Sequence, residues 1–335
     1  MGYEPNELPT APPRTVKDFP FGSANIANFV SNMQEESLEN VTPTSHKAGF
    51  VNLIGNPNAG KSTLMNALMG EKLSIVTPKA QTTRHRIMGI LNGDDYQIVY
   101  SDTPGVLDPK YKLHEGMMKS VGTALKDADL ILLVIDLNDT TPLHAQTLER
   151  LAKMSIPIFV LLNKFDLAGT EKANAAFEFW SQTLPKAKVF PVSALEKIYT
   201  KELLSEILNV LPESPAYFPK DEMSDRTMRF FASEIIREKI FLTYDREIPY
   251  SCEVLIEAYK EEPDITRISA VILTERESQK AIIIGHQGKM LKRVGTEARK
   301  DLESFLQQKV FLQMHVKVEK WRNDTRSLTQ LGYLD

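Results

Sequence analysis

The segment from Gly55 to Ser62 limits the fold of this chain more than any other feature, because it matches the phosphate-loop pattern G-x-x-x-x-G-K-[ST]. An apolar run at 49–54 precedes it and predicts a buried strand, and residues 63–69 predict a helix. A strand, a glycine-containing loop and a helix in this order surround a phosphate with backbone N–H groups. The residues predicted to hold the phosphates are Gly55, Asn56, Pro57, Asn58, Ala59, Gly60, Lys61, Ser62 and Thr63.

A second motif, Asp-Thr-Pro-Gly, begins at Asp102 directly after a strand-like run at 96–101. A carboxylate at a strand end can hold Mg²⁺ through water, and the N–H of Gly105 can meet a γ-phosphate. In the phosphate loop, we expect the Lys61 ammonium against the β- and γ-phosphates and the Ser62 hydroxyl on the metal. The second motif adds Asp102, Thr103, Pro104, Gly105 and Val106 to the predicted site.

Two later motifs select the base. Each follows an apolar strand-like run, the first at 156–162 and the second at 188–192. The Asp166 carboxylate can accept hydrogen bonds from both N1–H and the exocyclic amine of guanine, a donor pair that adenine lacks. A backbone amide of the second motif is expected near the O6 atom of the base. The residues predicted to surround guanine are Asn163, Lys164, Asp166, Ser193, Ala194 and Leu195.

Residues 79–87, Lys-Ala-Gln-Thr-Thr-Arg-His-Arg-Ile, lie between the phosphate loop and Asp102. A loop at this place can close over the γ-phosphate, with a Thr hydroxyl completing the metal shell only when GTP is bound. We favour Thr83 over Thr82 for that role. The predicted Mg²⁺ ligands are therefore Ser62, Thr83 and Asp102, and the segment would be a switch ordered by the γ-phosphate.

Length and composition set wider limits. A chain of 335 residues predicts about two domains. A single cysteine, Cys252, excludes an internal disulfide and suits a reducing compartment. The longest apolar run, 130–135, is too short to span a bilayer, and no secretory signal is visible in the first thirty residues. Residues 1–46 are rich in proline, and we expect a disordered or loosely docked extension in which Ala24–Met33 has the pattern of a short helix.

The pattern of strands and helices predicts an α/β fold. From 47 to 211 strands alternate with helical patterns, which predicts a P-loop domain with a mostly parallel, doubly wound sheet. Ligands of such sheets bind outside the carboxyl ends of the strands, where all four motifs fall. Residues 212–224 begin with three prolines in nine residues and are predicted to be a linker.

Residues 225–335 predict a second, α+β domain. A helix at Asp225–Thr243 and strands at 250–258, 265–274 and 310–318 surround a Gly-x-x-Gly turn that joins two amphipathic helices. This order is typical of a KH module, which clamps about four nucleotides of single-stranded nucleic acid. A helix-turn-helix without a function is the alternative. The predicted RNA-binding residues are Gly285, His286, Gln287, Gly288, Lys289, Lys292 and Arg293.

From about Lys47 to its end the chain resembles the Era family of bacterial ribosome-assembly GTPases. The specific matches are residues 79–87, 229–239, 275–280, 295–301 and the closing Leu-Gly-Tyr-Leu-Asp. The resemblance implies a TRAFAC-type G domain, a type II KH domain, and binding to the 3′ end of 16S ribosomal RNA in the maturing 30S subunit. It also implies a cytoplasmic protein with peripheral association at the inner face of the membrane. We expect a monomer.

The catalytic step is less constrained by the sequence. Val106 stands where many small GTPases carry the Gln that orients the attacking water. Hydrolysis is therefore expected to be slow, to use another group or to await a partner. A potassium ion held by Asn58 could stabilise developing charge as an arginine finger does. The candidate catalytic residues are Lys61, Thr83, Gly105 and Asn58.

Two other functions are alternatives for a chain with these motifs. The first is a biosynthetic P-loop enzyme, which would need a second substrate pocket. The second is a GTP-independent RNA chaperone with a vestigial nucleotide site, against which the intact Lys61, Ser62, Asp102 and Asp166 argue.

Overall fold

A computed structural model describes residues 45–334, which form two sheet-containing domains. The expected N-terminal extension, with its helix at Ala24–Met33, therefore lies outside the described residues as far as residue 44. The first sheet has six strands in the order β2-β3-β1-β4-β5-β6. These strands are β1 Lys47–Ile54, β2 Ile87–Asn92, β3 Tyr96–Asp102, β4 Leu130–Asp136, β5 Ile158–Asn163 and β6 Lys188–Pro191.

All neighbouring strands of this sheet are parallel except β2 and β3, which are antiparallel. The central strands are continuous apolar runs because helices cover both faces. These helices are α1 Lys61–Met69, α2 Lys112–Ala124, α3 Ala145–Ala152, α4 Thr170–Thr183 and α5 Thr200–Val210. The mostly parallel sheet predicted from the sequence is confirmed.

The carboxyl ends of the parallel strands position the four motifs. Strand β1 ends at Ile54, immediately before the phosphate loop, and β3 ends at Asp102 itself. Strand β5 ends at Asn163, and the β6 strand leads into Ser193. Because parallel strands end on one edge of the sheet, four motifs that are far apart in sequence meet there.

The second domain has a three-stranded sheet in the order β7-β8-β9. Strands β7 Cys252–Glu261 and β8 Ile265–Thr274 are antiparallel, whereas β8 and β9 Lys309–Val318 are parallel. The helices are α6 Met228–Thr243, α7 Ile248–Ser251, α8 Glu277–Ile284, α9 Lys289–Leu306 and α10 Thr325–Gln330. Helix α6 starts later than predicted because the Thr227 hydroxyl caps it by accepting a hydrogen bond from Phe230 N.

The predicted linker, 212–224, lies along the first sheet. Gln97 Oε1 accepts hydrogen bonds from Tyr217 N (2.7 Å) and Phe218 N (2.9 Å). Further on, Ile90 N donates to Met223 O (2.9 Å), beside a bridge that pairs Gly89 with Ser224. The segment, called the strap below, therefore covers the free edge of β2.

No helix within residues 45–334 combines the length and the apolar character that a bilayer span requires.

Candidate nucleotide site and nucleic-acid groove

The phosphate loop is held in shape by contacts within the protein. Lys61 Nζ donates to Gly55 O (3.1 Å) and Asn56 O (2.9 Å), so the loop curls around its own ammonium group. Gly60 has a φ of +97°, and a β-carbon there would lie 2.2 Å from Asn163 Nδ2. Only glycine fits this position, for conformation and for space.

Lys61 is the buried positive charge at the centre of this loop. Burial lowers the pKa of its ammonium to about 8, and the nearby Asp102 carboxylate opposes that shift. An anionic phosphate would favour the charged form further. Lys61 is therefore placed to bind a phosphate that enters the loop.

The three predicted metal ligands are close together. Ser62 Oγ donates to Asp102 Oδ2 (2.6 Å) and lies 2.8 Å from Thr83 Oγ1. Thr83 Oγ1 also donates to Asp102 Oδ2 at 3.4 Å. The neighbouring Thr82 hydroxyl instead bonds Thr77 Oγ1 (2.6 Å) and Lys79 O (2.7 Å). Of the two threonines, the structure thus brings Thr83 to the cluster.

The chemistry of this cluster fits Mg²⁺. Its donors are two hydroxyls and a carboxylate, the oxygen ligands that Mg²⁺ prefers. Asp102 Oδ1 is buried without a hydrogen-bond partner, and burial raises the pKa of the Asp102 carboxyl group. A bound cation would stabilise the charged carboxylate that burial disfavours.

One cavity of about 610 Å³ joins the phosphate loop to the predicted base motifs. Asn163 links its two ends, because Nδ2 donates to Ala59 O (2.7 Å) and Oδ1 accepts from Ala194 N (3.0 Å). Lys164 Nζ donates to Asp136 Oδ2 (2.6 Å). The base-motif residues that line this cavity are Lys164, Asp166, Ser193, Ala194 and Leu195. Leu195 is 74% exposed.

Two lining carboxylates, Asp136 and Asp139, were missed by sequence reasoning. Asp136 is the last residue of β4, so it stands at the same edge of the sheet as the motifs. Its position directly after the apolar run 130–135 was the signal that could have found it.

The second motif packs tightly against the phosphate loop. A β-carbon on Gly105 would lie 2.5 Å from Pro57 N, and Val106 N donates to Gly55 O (3.1 Å). The Val106 side chain is buried in the core, and the Thr103 hydroxyl donates to Leu53 O (2.6 Å). Neither side chain offers a polar atom to a water molecule in the cavity.

Asn58, the candidate potassium ligand, contacts the predicted switch. It has a φ of +62°, and its Nδ2 donates to Pro78 O at 3.1 Å. The amide oxygen carries no hydrogen bond in the structure of residues 45–334 and is the atom that a cation would use.

The predicted switch segment contacts the second domain through Arg84, and the sequence did not predict this contact. Arg84 is 1% exposed, and its guanidinium donates to Glu253 Oε2 (2.8 Å) and Cys252 O (2.7 Å). It also donates to Pro249 O and Tyr250 O. Its charge is therefore fully satisfied inside the second domain.

The next residue, His85, joins the same interface. Its ring stacks on Tyr333 with a centroid distance of 4.1 Å, and the Tyr333 hydroxyl donates to Glu253 Oε2 (2.6 Å). Burial lowers the pKa of the His85 imidazole to about 3, with Glu253 opposing the shift and Arg84 among the cations that reinforce it. His85 is therefore neutral at physiological pH.

The Gly-x-x-Gly turn has the opposite character. Gly285 and Gly288 have φ values of +70° and +73°, and a β-carbon on Gly288 would meet nothing within 4 Å. The side chains predicted to contact RNA are all exposed: His286, Gln287, Lys289, Lys292 and Arg293. Beside the turn, α9 and β9 form a groove of about 380 Å³ lined by Gly288, Leu291, Lys292, Gly295, Thr296, Arg299, Leu312 and Met314.

Comparisons with known proteins agree with both domains. The family model of the 50S ribosome-binding GTPase matches residues 50–164, and a KH domain model matches residues 247–322. GTPase Era of Clostridium kluyveri is 43% identical over 290 residues, which cover 86% of this chain and 99% of the relative. The chain belongs to the Era family of GTPases.

Other members of the Era family show the same breadth of similarity. The chloroplastic GTPase ERA1 of Zea mays is 43% identical over 90% of this chain and 74% of its own length. A crystal structure of Era in complex with MgGDPNP and nucleotides 1506–1542 of 16S ribosomal RNA has a TM-score of 0.83 at 36% identity, covering 87% of this chain and all of that chain. A variant of Aquifex aeolicus Era bound to GDP·AlF4⁻ has a TM-score of 0.81 at 35% identity, with 86% and 100% coverage. The P-loop domain and the KH domain expected from the sequence are thus confirmed.

Proposed function

We propose that this Era-family GTPase uses GTP to control binding of the 3′ end of 16S ribosomal RNA and so assists maturation of the 30S subunit. The observation that carries the proposal is the position of two adjacent residues. Thr83 lies in the cluster beside the phosphate loop, and Arg84 is buried in the RNA-binding domain. A γ-phosphate that orders this segment therefore acts on both domains at once.

The nucleotide is GTP or GDP with Mg²⁺, as in the related Era complexes. We assign the phosphates to 55–63 and to the N–H of Gly105, the metal to Ser62, Thr83 and Asp102, and the base to Asp166 with its neighbours. The metal would neutralise charge on the phosphates. Lys61 binds the phosphate oxygens, while Asn163 keeps the loop and the base end at a fixed separation.

Hydrolysis is expected to be slow in this arrangement. No glutamine follows Gly105, and the Val106 side chain is turned into the core. The candidate catalytic side chains Lys61, Thr83 and Asn58 can stabilise charge, but none of them is a general base. A potassium ion at the Asn58 amide oxygen would add to that stabilisation.

RNA binding is assigned to the Gly-x-x-Gly turn and the groove beside it. The sequence from Gly285 to Lys300 contains five Lys or Arg residues and one acidic residue. This excess of positive charge attracts a phosphate backbone. The open space around Gly288 lets that backbone approach the turn closely. The complex of a related Era with 16S ribosomal RNA supports the identity of the RNA.

The GTP-independent chaperone is disfavoured by the complete, closely packed nucleotide site. Cytoplasmic location, peripheral contact with the membrane and the monomeric state stay predictions from the family resemblance.

The test measures RNA affinity with a non-hydrolysable GTP analogue and with GDP. The unmodified protein should bind RNA more tightly with the GTP analogue than with GDP, by a factor of roughly 5–150. Arg84→Ala should abolish this difference, because it leaves Glu253 buried without its cation at the interface.

Lys188→Ala is the matched control, since it removes an ion pair with Glu206 inside the first domain (2.8 Å) and should leave the coupling intact. Equal RNA affinities in both states of the unmodified protein would show two independent binding modules and defeat the proposal. By linkage, RNA must also raise the affinity for the favoured nucleotide by the same factor.

A further inference from the structure

A second large cavity, of about 1150 Å³, is a cleft between the two domains. Its walls come from residues 71–75 after α1, the end of the strap, and helices α6 and α9. Ile75 is the one residue that the lining of this cleft shares with that of the nucleotide cavity. Neither the nucleotide site nor the RNA groove accounts for it.

Part of the wall of this interdomain cleft is apolar. Met223 and Met228, which line it, are 48% and 46% exposed. Phe305 packs against the cores of both domains. A cleft of this size with aromatic and flexible methionine side chains can seat the apolar face of a short helix. The other apolar lining residues are Leu73, Ile75, Phe231, Ile235, Tyr259 and Leu306.

The rim of the interdomain cleft is acidic, which excludes an anionic occupant such as RNA. Its two cations are already engaged: Lys72 Nζ pairs with Glu238 (2.8 Å), and the Arg226 guanidinium donates to Arg86 O. Among the carboxylates, Asp301 pairs with Lys239. The acidic residues of the rim are Glu71, Asp221, Glu222, Glu261 and Asp301.

The N-terminal extension supplies a segment with matching chemistry. No charged residue occurs from Phe19 to Gln34. Within that stretch, Ile26, Phe29, Val30 and Met33 follow the i, i+3, i+4, i+7 spacing of a helix that lays one face into a groove. The other face would carry Asn25, Asn28 and Asn32.

The chain enters the described structure close enough to reach the cleft. His46 Nδ1 lies 2.8 Å from Ser214 O, and Ser214 N donates to His46 O (3.0 Å), at the start of the strap. Asp221, on the rim of the cleft, is seven positions after Ser214 in the strap. Even fully extended, this stretch spans about 25 Å, so Ser214 lies within that distance of the rim. A segment as long as that from Met33 to Ser45 would reach about 20 Å as a flexible coil and about 40 Å if fully extended.

We propose that residues Ala24–Met33 dock as an amphipathic helix in the interdomain cleft of the same chain. The segment would then contact Leu73 and Ile75 of the first domain and α6 and α9 of the second. Because it touches both domains, its occupancy stabilises the arrangement in which Arg84 is buried. This inference is independent of which RNA the protein binds.

Disulfide trapping in the full chain tests the contact. Phe29→Cys with Met228→Cys should form an intramolecular disulfide under oxidised glutathione, and the native Cys252 is buried and does not interfere. Asn28→Cys with Met228→Cys is the matched control on the opposite face of the helix. Phe29→Cys with Phe179→Cys, on an exposed residue of α4, controls for chance collision.

The trapped species is identified by mass spectrometry of the monomer band. Preferential intramolecular trapping of the first pair supports the proposal. Equal trapping of all three pairs, or a disulfide found only between chains, would overturn it, and the latter would assign the cleft to a second copy.

Thiol labelling provides a second measurement that does not depend on disulfide geometry. With an effective concentration in the millimolar range, docking should slow labelling of Met228→Cys by about tenfold relative to the same chain carrying Phe29→Asp. Asn28→Asp, which alters the polar face, should keep the slow rate. Equal labelling rates with and without Phe29→Asp would show an empty cleft and refute the docking.

Discussion

The two ligand-binding loops of this protein, the phosphate loop and the Gly-x-x-Gly turn, use glycine for different reasons. In the phosphate loop, β-carbons on Gly55 and Gly60 would strike Val134 O at 2.3 Å and Asn163 Nδ2 at 2.2 Å. In the turn, a β-carbon on Gly285 would overlap Met290 Cγ at 2.6 Å, but Gly288 has a positive φ and open space around it. The first loop is shaped by its own protein before any ligand arrives, whereas the turn leaves room at Gly288 for a partner from outside.

The largest effect is expected from alanine substitutions at Gly60 and Gly288, which test the difference between the two loops. Gly60→Ala places a β-carbon on a left-handed backbone and makes it overlap Asn163. Holding the loop in its phosphate-binding shape then costs about 3 kcal/mol, so GTP affinity should fall about a hundredfold. Gly288→Ala meets no atom within the protein and should cost only about 1 kcal/mol of folding stability. Nucleotide titration and thermal unfolding of both variants check this.

The RNA affinity of the same pair completes the comparison. Gly288→Ala should weaken RNA binding while GTP binding stays normal, because its β-carbon occupies space left for the RNA backbone. If Gly288→Ala unfolds as readily as Gly60→Ala, or if Gly60→Ala binds GTP normally, the distinction between the loops is wrong.

The next effect concerns the base end of the nucleotide cavity. Asp166→Asn removes a charged acceptor, so the preference for guanine should fall by about 1.5–3 kcal/mol and shift towards xanthine. A competition between GTP and XTP measures it. Asp139→Asn, on the same cavity wall, is the control that should keep GTP preference, and an Asp166→Asn protein that still prefers GTP contradicts the assignment.

A smaller effect arises at the interface between the domains, from His85. Its pKa is lowered in the folded protein to about 3. As the pH falls below about 6.5, the unfolded chain binds a proton at His85 and the folded chain does not, so the free energy of unfolding decreases. From pH 7 to pH 5 the loss should be about 1–2 kcal/mol, allowing for the partial exposure of the ring.

Urea unfolding at the two pH values measures this loss. His85→Phe keeps an aromatic ring against Tyr333 and should reduce the pH dependence by the same amount. Burial also lowers the pKa of His114, to about 4, so His114 makes unfolding easier at low pH in the same way. It is unchanged in the His85→Phe variant and serves as an internal reference. An unchanged pH dependence in His85→Phe would show that His85 is exposed to water in solution.

The smallest expected effect tests the cation at Asn58. If its amide oxygen binds potassium, GTP turnover should rise severalfold when potassium replaces sodium at constant ionic strength. Asn58→Ala should lose that response, whereas Asn56→Ala, whose amide bonds Thr141 O (3.0 Å), should keep it. Equal turnover of the unmodified protein in the two salts leaves Asn58 as a residue that only connects the loop to Pro78.

The nucleotide motifs could be predicted from sequence because each is local and follows a strand that ends on one edge of the sheet. Arg84 could not. An arginine in a polar loop resembles a solvated residue, and its partners Cys252 and Glu253 lie more than 160 residues away. Asp136 was within reach of the same reasoning, since it ends a strand as Asp102 does. Long-range packing between domains leaves no periodic signal, so the interface and its cleft appear only in three dimensions.

The strap along β2 has a consequence for the solubility of the protein. An uncovered edge strand offers a row of free N–H and C=O groups with which another chain can pair, and such pairing leads to aggregation. The Ile90 N to Met223 O hydrogen bond and the Gly89–Ser224 bridge occupy that row here. The connection between the domains therefore also covers the edge strand of the sheet. A rotation of the second domain that pulled Met223 away would expose unpaired N–H and C=O groups of β2 to other chains.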